Sequence, residues 1–320
     1  MRGERKVIKN NAIKGLGSHP QILILIVLII VLSIALPSFF SGANFLNIVK
    51  NMSTVAIITS GVAVVMIGGN LDLSIGSMFS LLCVVGILSQ HTSTFMAILM
   101  PIAVALLLGF LNGVLIYKFK ISSIIVTLGT MAIFQGLTLI VSESSSVPAI
   151  PGTSYESIAG LRFINVPAYV FTFIILAAVC EIILRKTKFG RGLYYMGVNR
   201  EASMIAGHNG GVYTIISYML CGTTVAIAAI IQSSRLLTAN PIVGTGLEIE
   251  VLTAALIGGI SLLGGKGNVV QAIVGAMILA VIINGLNLFG APFEVQNIVK
   301  GALILTAIIL NARASKHDEI

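Results

Sequence analysis

The chain has 320 residues, 57% of them hydrophobic and only 9% charged, and a net charge of +8. That balance excludes an ordinary soluble globular protein, and several apolar runs are long enough to cross ~30 Å of hydrocarbon at ~1.5 Å per helical residue. A nucleic-acid partner is excluded as well, because the basic residues gather at the ends and loops of the apolar runs, where they orient a membrane protein.

In chain order, residues 1–19 carry Arg2, Arg5, Lys6, Lys9 and Lys14 and read as a basic cytoplasmic N-terminus. The run at about 21–40 follows at once. It ends in Pro37-Ser38-Phe39-Phe40 without a small-x-small site, so it reads as a first spanning helix and not as a cleaved signal. Further spans are predicted at about 46–67, 73–89, 95–117, 121–141, 167–185, 212–232, 246–262, 268–289 and 295–312. The expected fold is all-α: one polytopic membrane domain over 20–312 with about ten transmembrane helices, both termini cytoplasmic, and a short cytoplasmic tail at 313–320. This arrangement puts fifteen of the nineteen Lys and Arg residues inside and leaves Lys50, Arg162, Arg235 and Lys300 outside. The outward stretch Ser142 to Val166, rich in Ser and Pro, is read as a connection. Cys83, Cys180 and Cys221 lie in or beside apolar segments without paired spacing and behave as small hydrophobes.

The central polar interruption, Arg185 to Asn209, stands apart from the rest. Arg185, Lys186, Lys188, Arg191 and Arg200 fix it on the cytoplasmic side. Its second half reads as a short helix outside the membrane: Asn199 caps it, Glu201 suits the dipole of its first turn, and Gly207 and Asn209 supply stop signals. Ala202, Ile205 and Ala206 then form a small apolar face without a partner. A basic topology anchor and a docking element are both consistent with this pattern.

Three further stretches carry polar chemistry. Gly68 to Ser77 (GGNLDLSIGS) breaks two apolar runs; Asp72 and Ser74 are placed to cap the next helix, and Asn70 and Asp72 are candidates for a polar pathway. Leu237 to Glu250 (LTANPIVGTGLEIE) cannot be plain helix, and Gly244, Thr245, Glu248 and Glu250 are candidates for a gate; the two glutamates, two apart, face different ways. Gly258 to Asn268 (GGISLLGGKGN) fails as a phosphate loop, since Gly265 separates Gly264 from Lys266 and Gly267 takes the hydroxyl position. Ile67-Gly68-Gly69 and Ile257-Gly258-Gly259 form a faint internal repeat. The sequence offers no metal-spaced Cys/His cluster, no nucleophile with its base, and so neither a catalytic nor a metal site of its own.

Six motifs then fall in order along the chain: DLSIGS (72–77), TLGTM (127–131), FGRGLYYMGVNREASMIAGHN (189–209), NPIVGTGLEIE (240–250), IGGISLLGGKGN (257–268) and NGLNLFG (284–290). Together, from about Phe39 to Asn311, they resemble the ribose-type permease subunits of bacterial ATP-binding-cassette sugar importers. Asn70 departs from the Gly common there, and Glu250 from the usual Asp. The resemblance implies a permease of the cell (inner) membrane that moves a monosaccharide or sugar-like solute. It also implies a second permease subunit, identical or not, cytoplasmic ATP-binding subunits that hold the ATP, and an extracytoplasmic sugar-binding protein. The segment matching Glu201 to Gly207 docks onto the ATPase in that family, so Asn199, Arg200, Glu201, Ala202, Ile205 and Gly207 are the expected coupling residues. No cofactor is expected on this chain. The rival reading, an ion-coupled secondary transporter, needs more ionisable residues within the bundle than Asp72, Glu181 and Lys300 supply.

Overall fold

The computed structural model describes residues 20–163 and 166–317, the last eight of these as backbone only. The basic N-terminus expected at 1–19 and the side chains of the 313–320 tail lie outside the described residues. Every one of the ten apolar runs is a helix. In chain order the helices are α1 (Pro20–Ala35), α2 (Gly42–Ile67), α3 (Ile75–Gln90), α4 (Thr94–Phe119), α5 (Ser123–Val141), α6 (Glu156–Gly160), α7 (Ala168–Lys186), α8 (Lys188–Val198), α9 (Arg200–Ile205), α10 (Gly210–Leu236), α11 (Leu247–Gly258), α12 (Val269–Leu288) and α13 (Phe293–His317).

Six of these, α2, α4, α5, α7, α10 and α12, are long and apolar enough to cross a membrane. Helix α1, with 16 residues, falls short of the length of these six, and so do α3 and α11. With 16 and 12 residues they reach only about 24 and 18 Å, short of the ~30 Å apolar layer.

Burial sorts the long helices. The most apolar 18-residue window is 72% buried in α2 and 67% in α10, but only 28% in α4 and α5. The first two therefore form the centre, and the others wrap them with one apolar face turned outward to lipid. Helices α4 and α10 approach to backbone contact because α4 carries glycines where they cross. A Cβ on Gly109 would lie 2.5 Å from the Tyr218 carbonyl oxygen, and one on Gly113 2.6 Å from Ile215 Cα. Small residues at such a seam replace the hydrophobic drive that lipid removes.

The bundle has two distinct ends. At one, the C-terminal end of α2, the 259–268 loop and helices α8 and α9 come together with Lys118, Lys120 and the basic central segment. At the other, β1 (Val147–Pro148) pairs antiparallel with β4 (Thr238–Ala239), and β2 (Arg162–Phe163) with β3 (Val166–Pro167). The 142–166 stretch does more than connect. Tyr155 is fully buried between α3 and α10, its hydroxyl 2.6 Å from Ser233 Oγ, and Ser234 Oγ accepts from Ala159 N–H at 3.0 Å. Gln90 at the end of α3 donates to the Ile150 carbonyl at 3.0 Å. The loop is a plug, packed by an aromatic whose polar tip finds a partner.

Candidate functional site

Two places in this frame carry polar groups that the packing alone does not need. The first is the basic end. Thr187 starts α8 by accepting from Gly190 N–H at 3.0 Å, and Asn199 both ends α8 and starts α9, accepting from Ala202 N–H at 2.9 Å as its sequence position predicts. Gly207 closes α9 in the left-handed region (φ 92°), and Asn209 caps α10 through Gly211 and Val212. The first half of the central segment, for which no helix was predicted, is thus a helix of its own, α8.

Helix α8 is fastened to three parts of the bundle. Tyr194 donates to the Gly267 carbonyl at 2.7 Å, Phe189 stacks on Tyr213 of α10, and Leu193 packs over Gly68 at the end of α2. Its last turn meets two glycine breaks without any side chain between. Gly265 N–H donates to the Ile67 carbonyl at 2.8 Å, and a Cβ on Gly264 would lie 2.6 Å from Gly69 Cα. A Cβ on Gly197 would overlap both the Ile67 oxygen and the Gly265 nitrogen. The failed phosphate loop is therefore one side of a backbone-to-backbone joint. At that joint the surface is apolar and open, with Val198 and Leu263 each 71% exposed, and on the adjoining α9 Ile205 is 88% exposed. Ala202 and Glu201 are exposed too, whereas Arg200 turns back to Thr214 Oγ1 at 3.3 Å and Ser203 is buried. Sequence periodicity found Ile205. It missed Val198 and Leu263, because three separate segments build the patch.

The second place is the helix break inside the bundle. The N-terminal ends of α3 and α11 meet: Gly244 N–H donates to Ser80 Oγ at 2.9 Å, and a Cβ on Gly76 would overlap the Glu248 carboxylate. Each helix start carries about half a positive charge, so the meeting point favours carboxylates, and the chain supplies Glu248 and Asp72. Of the two predicted caps, Ser74 is corrected here. Ser74 stands at the N-cap of α3 but its side chain caps nothing; it donates instead to Asp72 Oδ1 at 2.6 Å, and its N–H does so at 2.9 Å. Asn112, a lone carboxamide in the apolar α4, closes the group by donating to Ser74 Oγ at 3.0 Å. It was not singled out from the sequence.

Of the other sequence candidates, Glu250 turns to the next face and pairs with Lys300 of α13 at 2.7 Å. It borders a cavity of about 70 Å³ that Asn51, Asn284 and Asn287 also line, room for a few waters and well below the ~300 Å³ at which small-molecule sites begin. Asn70 only closes the turn after α2, and Thr245 is exposed. Among the described residues no group of three or more His, Cys, Asp or Glu side chains is placed to hold a metal.

Comparison with known proteins agrees with this architecture. Residues 44–308 match a family model described as the branched-chain amino acid transport system / permease component. The ribose import permease protein of Bacillus subtilis is 34% identical over 257 residues, covering 79% of this chain and 80% of that protein. Its counterpart in Escherichia coli K12 is 33% identical over 271 residues, 82% of this chain and 83% of that one. The autoinducer 2 import system permease protein of Escherichia coli SMS-3-5 is 32% identical over 256 residues, 78% of this chain and 75% of that protein. No solved structure matches the chain. With a family match over most of its length and a bundle of helices long and apolar enough to cross a membrane, the chain belongs to this family of multi-pass membrane permeases.

Proposed function

We propose that this chain is the membrane-spanning subunit of an ATP-binding-cassette importer for a monosaccharide or sugar-like solute, and that its basic end is the seat of the ATPase. The solute class rests on the relatives, whose names give ribose and autoinducer 2. The seat rests on one observation above others: exposed apolar Val198 and Leu263, with Ile205 on the adjoining α9, border a joint at which the last turn of α8 meets α2 and the 259–268 loop backbone to backbone. An ATPase pair pressing on that patch moves two glycine breaks that lead directly to the short helices α3 and α11. Shape matters more than area in such a link, since it must pass on a two-state change. Asn199, Glu201, Ala202 and Gly207 then serve by holding α9 in place, and Arg200 by tying it to α10. A second permease copy or its close relative covers the outward apolar face of the bundle, and a soluble sugar-binding protein delivers solute at the opposite end.

The test is the purified complex of this chain with its ATPase, reconstituted with the binding protein. Ile205→Asp and Leu263→Asp place charges on the patch without touching the bundle. Both should abolish solute-stimulated ATP hydrolysis and transport while the membrane subunit elutes as a folded species. Normal stimulation in both would remove the patch from the ATPase interface. Transport that proceeds without the ATPase would favour an ion-coupled carrier.

A further inference from the structure

The Asp72 group is short of one positive charge. Asp72 is 1% exposed and Asn112 fully buried. Asp72 Oδ1 takes both bonds that Ser74 offers, while Asp72 Oδ2 and Asn112 Oδ1 have no partner among the described residues. Both are acceptor atoms, and two buried acceptors cannot satisfy each other. Ser74 Oγ is bonded to one atom of each planar group, so both unpartnered atoms belong to groups that already share one hydroxyl.

The neighbours do not supply the missing charge. From α10, Tyr218 and Cys221 face the group; the Tyr218 hydroxyl is spent on the Leu71 carbonyl at 2.7 Å, and neither residue is a cation. Arg200 of α9 acts on Tyr218 from further off and bonds Thr214. From α11 the nearest ionisable group is Glu248, a second acid beside Gly76. The helix-α3 dipole offsets part of the charge, but its free N–H at Ser74 already points to Oδ1.

We propose that Asp72 Oδ2 and Asn112 Oδ1, with the shared Ser74 Oγ, form a binding site for one monovalent cation, taken up as Na⁺ or as a proton. Hard oxygen donors with one net negative charge suit either. The cation ties the start of α3 to α4 and so fixes the break through which α2 leads into α3. This site is independent of what the chain transports.

The test follows the melting of the full-length chain in nanodiscs. In choline chloride at pH 8 and constant ionic strength, NaCl is titrated in. A Na⁺ site raises the wild-type Tm on the order of 5 °C at a hundredfold excess over Kd, and KCl at the same strength does less. A proton site gives no Na⁺ response; instead the wild-type Tm in choline falls as pH rises through the acidic range in which the unfolded chain has lost the proton and the native state still holds it. In either case the response is lost in Asp72→Asn, whose amide brings its own donor, and weakened in Asn112→Leu. A wild type that responds to neither, or an Asp72→Asn that responds as the wild type does, overturns the proposal. Should Asp72→Asn not accumulate, Asn112→Leu decides by the same comparison.

Discussion

Gly197 and Gly207 look alike in the sequence, ten residues apart in the basic segment, yet the structure uses them for opposite reasons. Gly197 is there for space: any Cβ strikes backbone on both sides, at Ile67 and Gly265, and backbone cannot step aside as a side chain can. Gly207 has nothing within 4 Å but sits at φ 92°. Gly197→Ala should therefore pry α8 from the joint, toward the upper end of the ~1–3 kcal/mol usual for overpacking. Gly207→Ala should cost only the ~1–2 kcal/mol of a left-handed alanine, and a bulkier Val there will not leave the end of α9 unstrained. Trypsin cleavage at Lys188 and Arg191 measures the difference, rising sharply in the first variant alone; equal rates would mean that the joint is not tight. Local chemistry of this kind is partly legible in sequence. Asn199 was read as a cap and is one, because a cap involves residues three apart. Ser74 was read as a cap and its side chain caps nothing, because it is held by Asp72 and by Asn112 from a different helix.

Among the elements, α3 and α11 decide how the bundle can open. Hydropathy marked both as spans at 73–89 and 246–262, and both are apolar helices, but hydropathy reports the surroundings of a residue and not its depth. Their length is set by the turns before Ile75 and Leu247, which hydropathy does not mark. What joins them is the Gly244 N–H on Ser80 Oγ, a buried bond between helices far apart in sequence. Ser80→Ala leaves that N–H without a partner and should cost about 1–3 kcal/mol. Hydrogen exchange should quicken at residues 244–250 and stay unchanged in α12. Ser77→Ala is the control, since its hydroxyl bonds only the Ser74 carbonyl one turn back. If both variants exchange alike, the two helix starts are not coupled through Ser80.

For the whole molecule the open question is which end faces the cytoplasm. Charge answers it by bias alone: the basic end holds Lys118, Lys120 and the five bases of 185–200, and such residues stay on the side from which the chain inserts. The structure sharpens the experiment that decides it. Cys83, Cys180 and Cys221 are all buried, so the native chain gives little background with a thiol reagent. Ser145 is exposed at the plug end. At the basic end Ser203 is buried and would stay silent on either side of the membrane, whereas Ile205 is almost fully exposed. Ser145→Cys should react with an impermeant maleimide in intact cells. Ile205→Cys should react only after the membrane is opened, and its labelling should fall again when the ATPase is bound, since the same patch is then covered. Labelling of Ile205→Cys in intact cells would turn the molecule over and put the basic end outside, where no ATPase could reach it.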